Sequence, residues 1–145
     1  MRELHSNIKV VKAIQPKAVG TTGAANGSLS GVIDTLGYRG VEFVYGYGTS
    51  GAVTDVVTPV VLECETSGGS FTSVADADLI GTEAAAAMPA TATTRVSGVS
   101  MNFNTKLGYN GNKRYLKTRL YGVGTATAIV SAVALLHTPR HAPAA

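Results

Sequence analysis

Apolar residues recur at every second position along most of the chain, and helical spacing is never sustained. Ile8–Ile14 reads as a first short strand ended by Pro16, and Gly20 to Ser28, rich in Gly, Ala, Asn and Ser, as a turn region. Leu29–Ile33 reads as a second strand. In a third, Val41, Phe43 and Tyr45 alternate with Glu42 and Val44. Val56–Glu65 is a fourth, with Pro59 tolerable at an edge position. After the turn Ser67-Gly68-Gly69-Ser70 comes a brief fifth, Phe71–Val74. Thr82 to Pro89 can form one helical turn capped by Thr82 and stopped by Pro89, and the Ala/Thr-rich run to Thr94 reads as a surface loop. Val99, Met101 and Phe103 alternate in a sixth strand. Asn110-Gly111-Asn112 is a turn, Arg114–Val123 a seventh strand and Ala126–Leu136 an eighth, apolar on both faces and so expected to be central.

About eight short strands separated by turns predict an all-β, single-domain β-sandwich or jelly roll. Residues 8–136 form that domain, and residues 1–7 and 137–145 fall outside the pattern as extended N- and C-terminal arms. A chain of 145 residues is long enough to bury a substantial core without disulfides. Cys64 is the only cysteine, so no intrachain disulfide can form. Alternation groups it with Val60 and Leu62 and predicts a small buried hydrophobe rather than a nucleophile. No secretion signal is visible at Met1-Arg2-Glu3-Leu4-His5, and no apolar run is long enough to span a bilayer, so a soluble, cytoplasmically made protein is expected, with no membrane partner.

Charged residues make up only 14% of the chain, so much of its surface must be neutral. The charges are also segregated. Eight acids and one base, Arg39, lie between Asp34 and Thr94; seven bases and no acid lie between Arg95 and Ala145. Such asymmetry fits either a polyanion-binding end or complementary surfaces between packed copies.

No segment carries a complete catalytic or cofactor motif. Gly46-Tyr47-Gly48-Thr49-Ser50-Gly51 has glycines at dinucleotide-site spacing, but the β-branched segment that follows ends at Pro59 and is a poor helix, so a Gly-rich loop is expected. His137 and His141 stand four apart, yet Pro139 between them argues against a shared metal. Asp76 and Asp78 lack the further oxygen ligands of a calcium loop and read as turn residues. There is no nucleophile elbow and no H-E-x-x-H helix. No enzyme activity, cofactor or metal is expected.

The segment Lys113–Tyr121 carries more information. On a strand Tyr115, Lys117, Arg119 and Tyr121 share one face, and Leu116, Thr118 and Leu120 the other. Cations interleaved with aromatics suit a solvated face, a protein interface or single-stranded nucleic acid.

The order of features resembles a family of small proteins encoded beside the major capsid protein of tailed bacteriophages. The segments that carry the likeness are Ile33-Asp34-Thr35-Leu36-Gly37-Tyr38, Val41–Tyr47, Ser67–Gly81, Leu107–Tyr115 with its Gly-Tyr-x-Gly-x-Lys-Arg-Tyr pattern, and the tail Leu136–Pro143. The resemblance implies a virion structural protein, and within that class a capsid cement or decoration protein. Such a protein would bind the major capsid protein and itself, as a homotrimer, with nucleic acid not expected as a partner. The interface residues expected, from the interleaved cations and aromatics, the segregation of charge and the terminal arm, are Lys113, Arg114, Tyr115, Lys117, Arg119, Tyr121, His137, Arg140 and His141. A tail or head–tail connector component is the alternative, and a nucleic-acid-binding β-barrel a third.

Overall fold

A computed structural model describes residues 5–19, 28–50, 56–88, 103–123 and 128–140. Among these lie ten strands: β1 (Ile8–Val19), β2 (Ser28–Leu29), β3 (Ile33–Asp34), β4 (Tyr38–Ser50), β5 (Val56–Cys64), β6 (Thr72–Ser73), β7 (Leu79–Ile80), β8 (Phe103–Tyr109), β9 (Tyr115–Val123) and β10 (Ala128–Pro139). One sheet runs β1, β10, β4, β8, β7 and the other β2, β9, β5, β6, with β3 also on β9. All pairings are antiparallel.

The pairings are nested. β1 takes β10, β2 and β3 take β9, β4 takes β8, and β5 takes β6. The chain is therefore one long hairpin rolled up so that successive arms fall in opposite sheets, which is the jelly-roll form of the β-sandwich. The expected fold class is what the structure shows.

Several boundaries differ from the sequence expectation. β1 runs on through Pro16 to Val19, with register shifts between Lys12 and Lys17. Pro can sit there because β1 is an edge strand. The expected Leu29–Ile33 strand is split into β2 and β3, because Ser30 turns its side chain back onto the backbone. β7, only two residues long, is too short to show alternation. Pro59 stands where Val57 and Val61, of the same parity, aim their carbonyls away from β9, toward Met88 and Val74, so its missing N–H leaves no partner on β9 unsatisfied. The C-terminal arm begins later than residue 137. His137 pairs with both Ile8 and Gly40, and Pro139 with Tyr38. The expectations for residues 1–4, the turn region over 20–27, the loop to Thr94, Val99, Met101, the strand start at 126–127 and 141–145 lie outside the described residues.

The core is built by the inner parities of the long strands: Val41, Phe43, Tyr45 and Tyr47 of β4, Leu116 and Leu120 of β9, and Val130, Ala132, Ala134 and Leu136 of β10. β10 is indeed central, between β1 and β4. The single helical turn α1 (Glu83–Ala86) starts where Thr82 accepts a hydrogen bond from the Ala85 amide at 3.1 Å. Its Ala86 is buried, and the Ala86 carbonyl accepts from both the Tyr47 hydroxyl, at 2.8 Å, and the Thr105 hydroxyl, at 2.6 Å.

The core is also tied across its two layers by polar groups. Thr118 of β9 is 0% exposed. Its hydroxyl lies 3.2 Å from the Val60 carbonyl, to which it donates, so the Tyr45 hydroxyl at 2.8 Å donates to Thr118 in turn. The Thr118 amide donates to the Ser30 hydroxyl at 3.0 Å. Near one end, the Tyr109 hydroxyl of β8 donates to the Glu63 carboxylate of β5 at 2.6 Å.

These ties make two expectations. Thr118→Val leaves the buried Tyr45 hydroxyl without an acceptor, at a cost of about 1–3 kcal/mol. Adding Tyr45→Phe removes the orphaned group, so the double variant is expected to be no less stable than Thr118→Val alone, as read from urea denaturation of all four members of the cycle. The second concerns pH. Burial pushes the Tyr47 phenol up to about 12, and burial also raises those of Tyr45 and Tyr109. Unfolded phenols titrate near pH 10, so above about 10 the unfolded chain binds fewer protons and stability falls as pH rises toward 12. Below pH 10 this contribution is fully present. Thermal melts across that window, followed with phenolate absorbance, should show ionisation of these tyrosines coinciding with unfolding.

Candidate interface at the basic end

Three segments distant in sequence meet at one end of the sandwich. The turn between β3 and β4 is closed by the Tyr38 amide donating to the Thr35 carbonyl at 3.0 Å, with Gly37 at φ 91° in its third position. A side chain there would be strained, which is why Gly holds it. Asp34 shapes the same turn, accepting from the Leu36 amide at 2.9 Å. The second segment, Asn110–Arg114, joins β8 to β9. Gly111 lies over the Tyr109 ring so closely that an added Cβ would come within 2.5 Å of the phenol oxygen, and that oxygen accepts from the Lys113 amide at 2.9 Å. The third is the end of β10, where the Arg140 amide donates to the Gly37 carbonyl at 2.8 Å. Thr138, two residues earlier, has a left-handed backbone at φ 55°.

Together they line a cleft of about 560 Å³ bordered by Arg39, Lys113, Arg114 and Arg140. Two of the four cations have partners. Arg114 grips Asp34 through two bonds, at 2.8 and 2.7 Å, and Lys113 pairs with Glu65. The Arg114 hydrogen bonds hold the Asp34 carboxyl below its usual range against a smaller opposing effect of burial. Arg39 and Arg140 have no ion-pair partner among the described residues. Arg39 has the parity of the buried Val41, Phe43 and Tyr45 but is itself exposed and lines the cleft.

The sequence-predicted interface residues therefore divide. Lys113, Arg114 and Arg140 share the cleft. Tyr115, Lys117, Arg119 and Tyr121 lie half-buried on the outer face of β9, while Leu116, Thr118 and Leu120 are buried, as the alternation predicted. On that face the Lys117 ammonium sits 4.1 Å from the centre of the Phe71 ring, and the Arg114 guanidinium 4.9 Å from that of Tyr115. His137 is on the outer face of the other sheet, against Gly40, so it belongs to neither group. His141 lies outside the described residues. Arg39 was missed: in the sequence it is a lone base in an acidic stretch, and only the pairing of β4 with β10 brings it beside Arg140.

Cys64 does not join the core: the buried parity of β5 is Val57, Pro59 and Val61, and Cys64 is half-exposed on the opposite face. Val56 to Leu62 is apolar at both parities, so alternation could not choose the face. Gly46 to Ser50 is strand, not loop: Gly46 and Gly48 pack beside Ser131 and Ile129 of β10. Asp76 and Asp78 lie in a single 3-10 turn, in keeping with the turn reading. Among the described residues no three His, Cys, Asp or Glu side chains gather as metal ligands, and no helix is long and apolar enough to cross a membrane.

No protein-family model matches the chain, and no curated protein does. Among solved structures it is similar to the CBM22-1–GH10 modules of the Clostridium thermocellum N-terminal endo-1,4-beta-D-xylanase 10B, determined with xylohexaose, with a TM-score of 0.51 and 12% identity over 98% of this chain and 27% of that one. A second likeness is to a structure of the infectious bursal disease virus Gx strain, with a TM-score of 0.38 and 12% identity over 94% of this chain and 33% of that one. The chain thus spans a third or less of the proteins it matches. At this identity the first likeness speaks to the fold alone, and the second is too distant to carry an argument.

Asp34→Asn isolates the ion pair from the turn. The amide oxygen can still accept from Leu36, while Arg114 is released as a third unpaired cation in the cleft. The expected outcome is an unchanged circular dichroism spectrum and later elution from a cation-exchange column. Loss of the folded spectrum would show instead that the pair holds the loop in place.

Proposed function

We propose that this chain is a non-enzymatic structural protein of a tailed-bacteriophage particle, a cement or decoration protein that binds the major capsid protein shell and assembles as a homotrimer. It would be made in the host bacterial cytoplasm and reside in the virion. The observation that supports this reading is the convergence at the basic end. Three of the segments that carry the phage resemblance, Ile33–Tyr38, Leu107–Tyr115 and the start of the tail at Leu136–Arg140, are far apart in sequence and meet around one cleft. A polar cleft with two unpaired arginines suits recognition of acidic groups on a partner surface, where charge complementarity sets orientation and encounter rate.

The nucleic-acid alternative has less in its favour. Of the basic residues first grouped together, Lys113 and Arg114 are already paired to acids, and Lys117 is packed on Phe71. Only part of the basic run is free to follow a phosphate backbone.

Electron microscopy of the parent particle, with this chain located in it, tests the reading. The expected result is many copies spread over the shell, with the Arg39/Arg140 end against the major capsid protein, and lower occupancy for the double variant Arg39→Glu, Arg140→Glu. A single ring of copies at one vertex would favour the connector alternative. Tight oligonucleotide binding that weakens steeply with added salt would overturn both.

A further inference from the structure

The two lateral margins of the sandwich carry opposite charge. At one margin stand β1, the edge strand of its sheet, and β2, the edge of the other. Lys9, Lys12 and Lys17 of β1 are all exposed, and no Asp or Glu occurs from His5 to Ile33; the acid that follows, Asp34 of β3, feels the charge of Lys9 but is already held by Arg114. At the opposite margin β7 is the edge strand, flanked by the 3-10 turn Asp76–Asp78 and by α1. Asp76, Asp78 and Glu83 lie there, and no Lys or Arg occurs from Thr66 to Met88. Glu42 lies further in, on the outer face of β4 over Gly108, where Lys106, exposed on the same face of β8, is its diagonal neighbour and offsets it, so the acidic edge is formed by Asp76, Asp78 and Glu83. Lys117, on the outer face of β9, is packed on Phe71.

Each margin also has an exposed apolar centre. On the basic side Val10 is 61% exposed, with Leu29 and Val32 also exposed; on the acidic side Ile80 is 56% exposed. An apolar centre with a charged rim is the anatomy of a protein–protein contact. Lysines on an edge strand have a plainer role, since they discourage strand-to-strand pairing of two like edges. That role narrows the choice of partner: β1 against β1 sets lysine against lysine, whereas β1 against the β7 margin sets lysine against carboxylate.

We infer that copies of this chain dock head to tail, the Lys9/Lys12/Lys17 margin of one against the Asp76/Asp78/Glu83 margin of the next, with Val10 and Ile80 at the centre of the contact. Such a contact is heterologous, so it closes into a ring or grows as a filament. It uses a surface separate from the basic cleft and rests on charge and exposure alone, whatever particle the chain serves.

Two charge-reversed variants of the full chain test it: Lys9→Glu, Lys12→Glu, Lys17→Glu, and Asp76→Lys, Asp78→Lys, Glu83→Lys. Analytical ultracentrifugation should find the wild type oligomeric at low salt and dissociating as salt is raised, and each variant monomeric. The first variant then has two acidic margins and the second two basic ones, so mixing them should restore assembly. Circular dichroism on each variant checks that the fold is intact, and Val10→Ser with Ile80→Ser supplies a milder break. A wild type that stays monomeric at high concentration overturns the inference. So do folded charge variants that keep the wild-type mass, or folded variants that stay monomeric when mixed. Loss of particle binding by the Arg39/Arg140 variant with oligomer mass unchanged would leave this contact standing and isolate the cleft as the particle-binding surface.

Discussion

A slip of β9 by one residue would drive Lys117 and Arg119 into the core and turn Leu116, Thr118 and Leu120 out to water. β9 pairs with β2, β3 and β5, so fixing it fixes the layer those strands form. Thr118 then supplies the link to the opposite layer, because the Tyr45 hydroxyl finds its acceptor only when Thr118 points inward. Hydrophobic burial alone would let two apolar sheets slide over each other. A buried hydroxyl with one acceptor in reach discriminates among such arrangements, because misplacing it costs the desolvation of a polar group.

The same logic explains the basic end. Tyr109 ties β8 to β5 through Glu63, and its oxygen also receives the Lys113 amide, so the loop carrying Lys113 and Arg114 is anchored to the phenol that bridges the sheets. Asp34 stiffens the neighbouring turn and holds Arg114 at once. The sequence-level segregation of acids and bases is thus partly resolved inside the molecule, by pairing Asp34 with Arg114 and Glu65 with Lys113. In the cleft, Arg39 and Arg140 are the cations left over.

The class of fold was legible because alternation is a local signal. Val41, Phe43 and Tyr45 or Leu116, Thr118 and Leu120 show their face without any knowledge of a partner strand. The helical turn at Thr82 was legible for the same reason, since its cap lies three residues from the amide it serves. Where both parities are largely apolar, as from Val56 to Leu62, local pattern is silent, and the face that Cys64 shares with Val60 and Leu62 was taken for the buried one. The site was legible in part. Lys113 and Arg114 stand out as neighbours in sequence, but the place of Arg39 beside Arg140 depends on strands about a hundred residues apart, which no local pattern encodes. The same holds for the end of β10: His137 to Pro139 look like a tail until Gly40 and Tyr38 are seen beside them.

The position of β10 bears on how the protein is made. It is the last of the described strands in chain order and it lies between β1 and β4, holding both. Until the ribosome has made β10 and that strand has cleared the exit tunnel, β1 has no sheet partner and its layer is split. The sandwich therefore cannot close while its earlier strands emerge one by one. A product cut short before β10 would keep an open sheet and an exposed apolar layer, marks by which cellular proteases recognise a substrate.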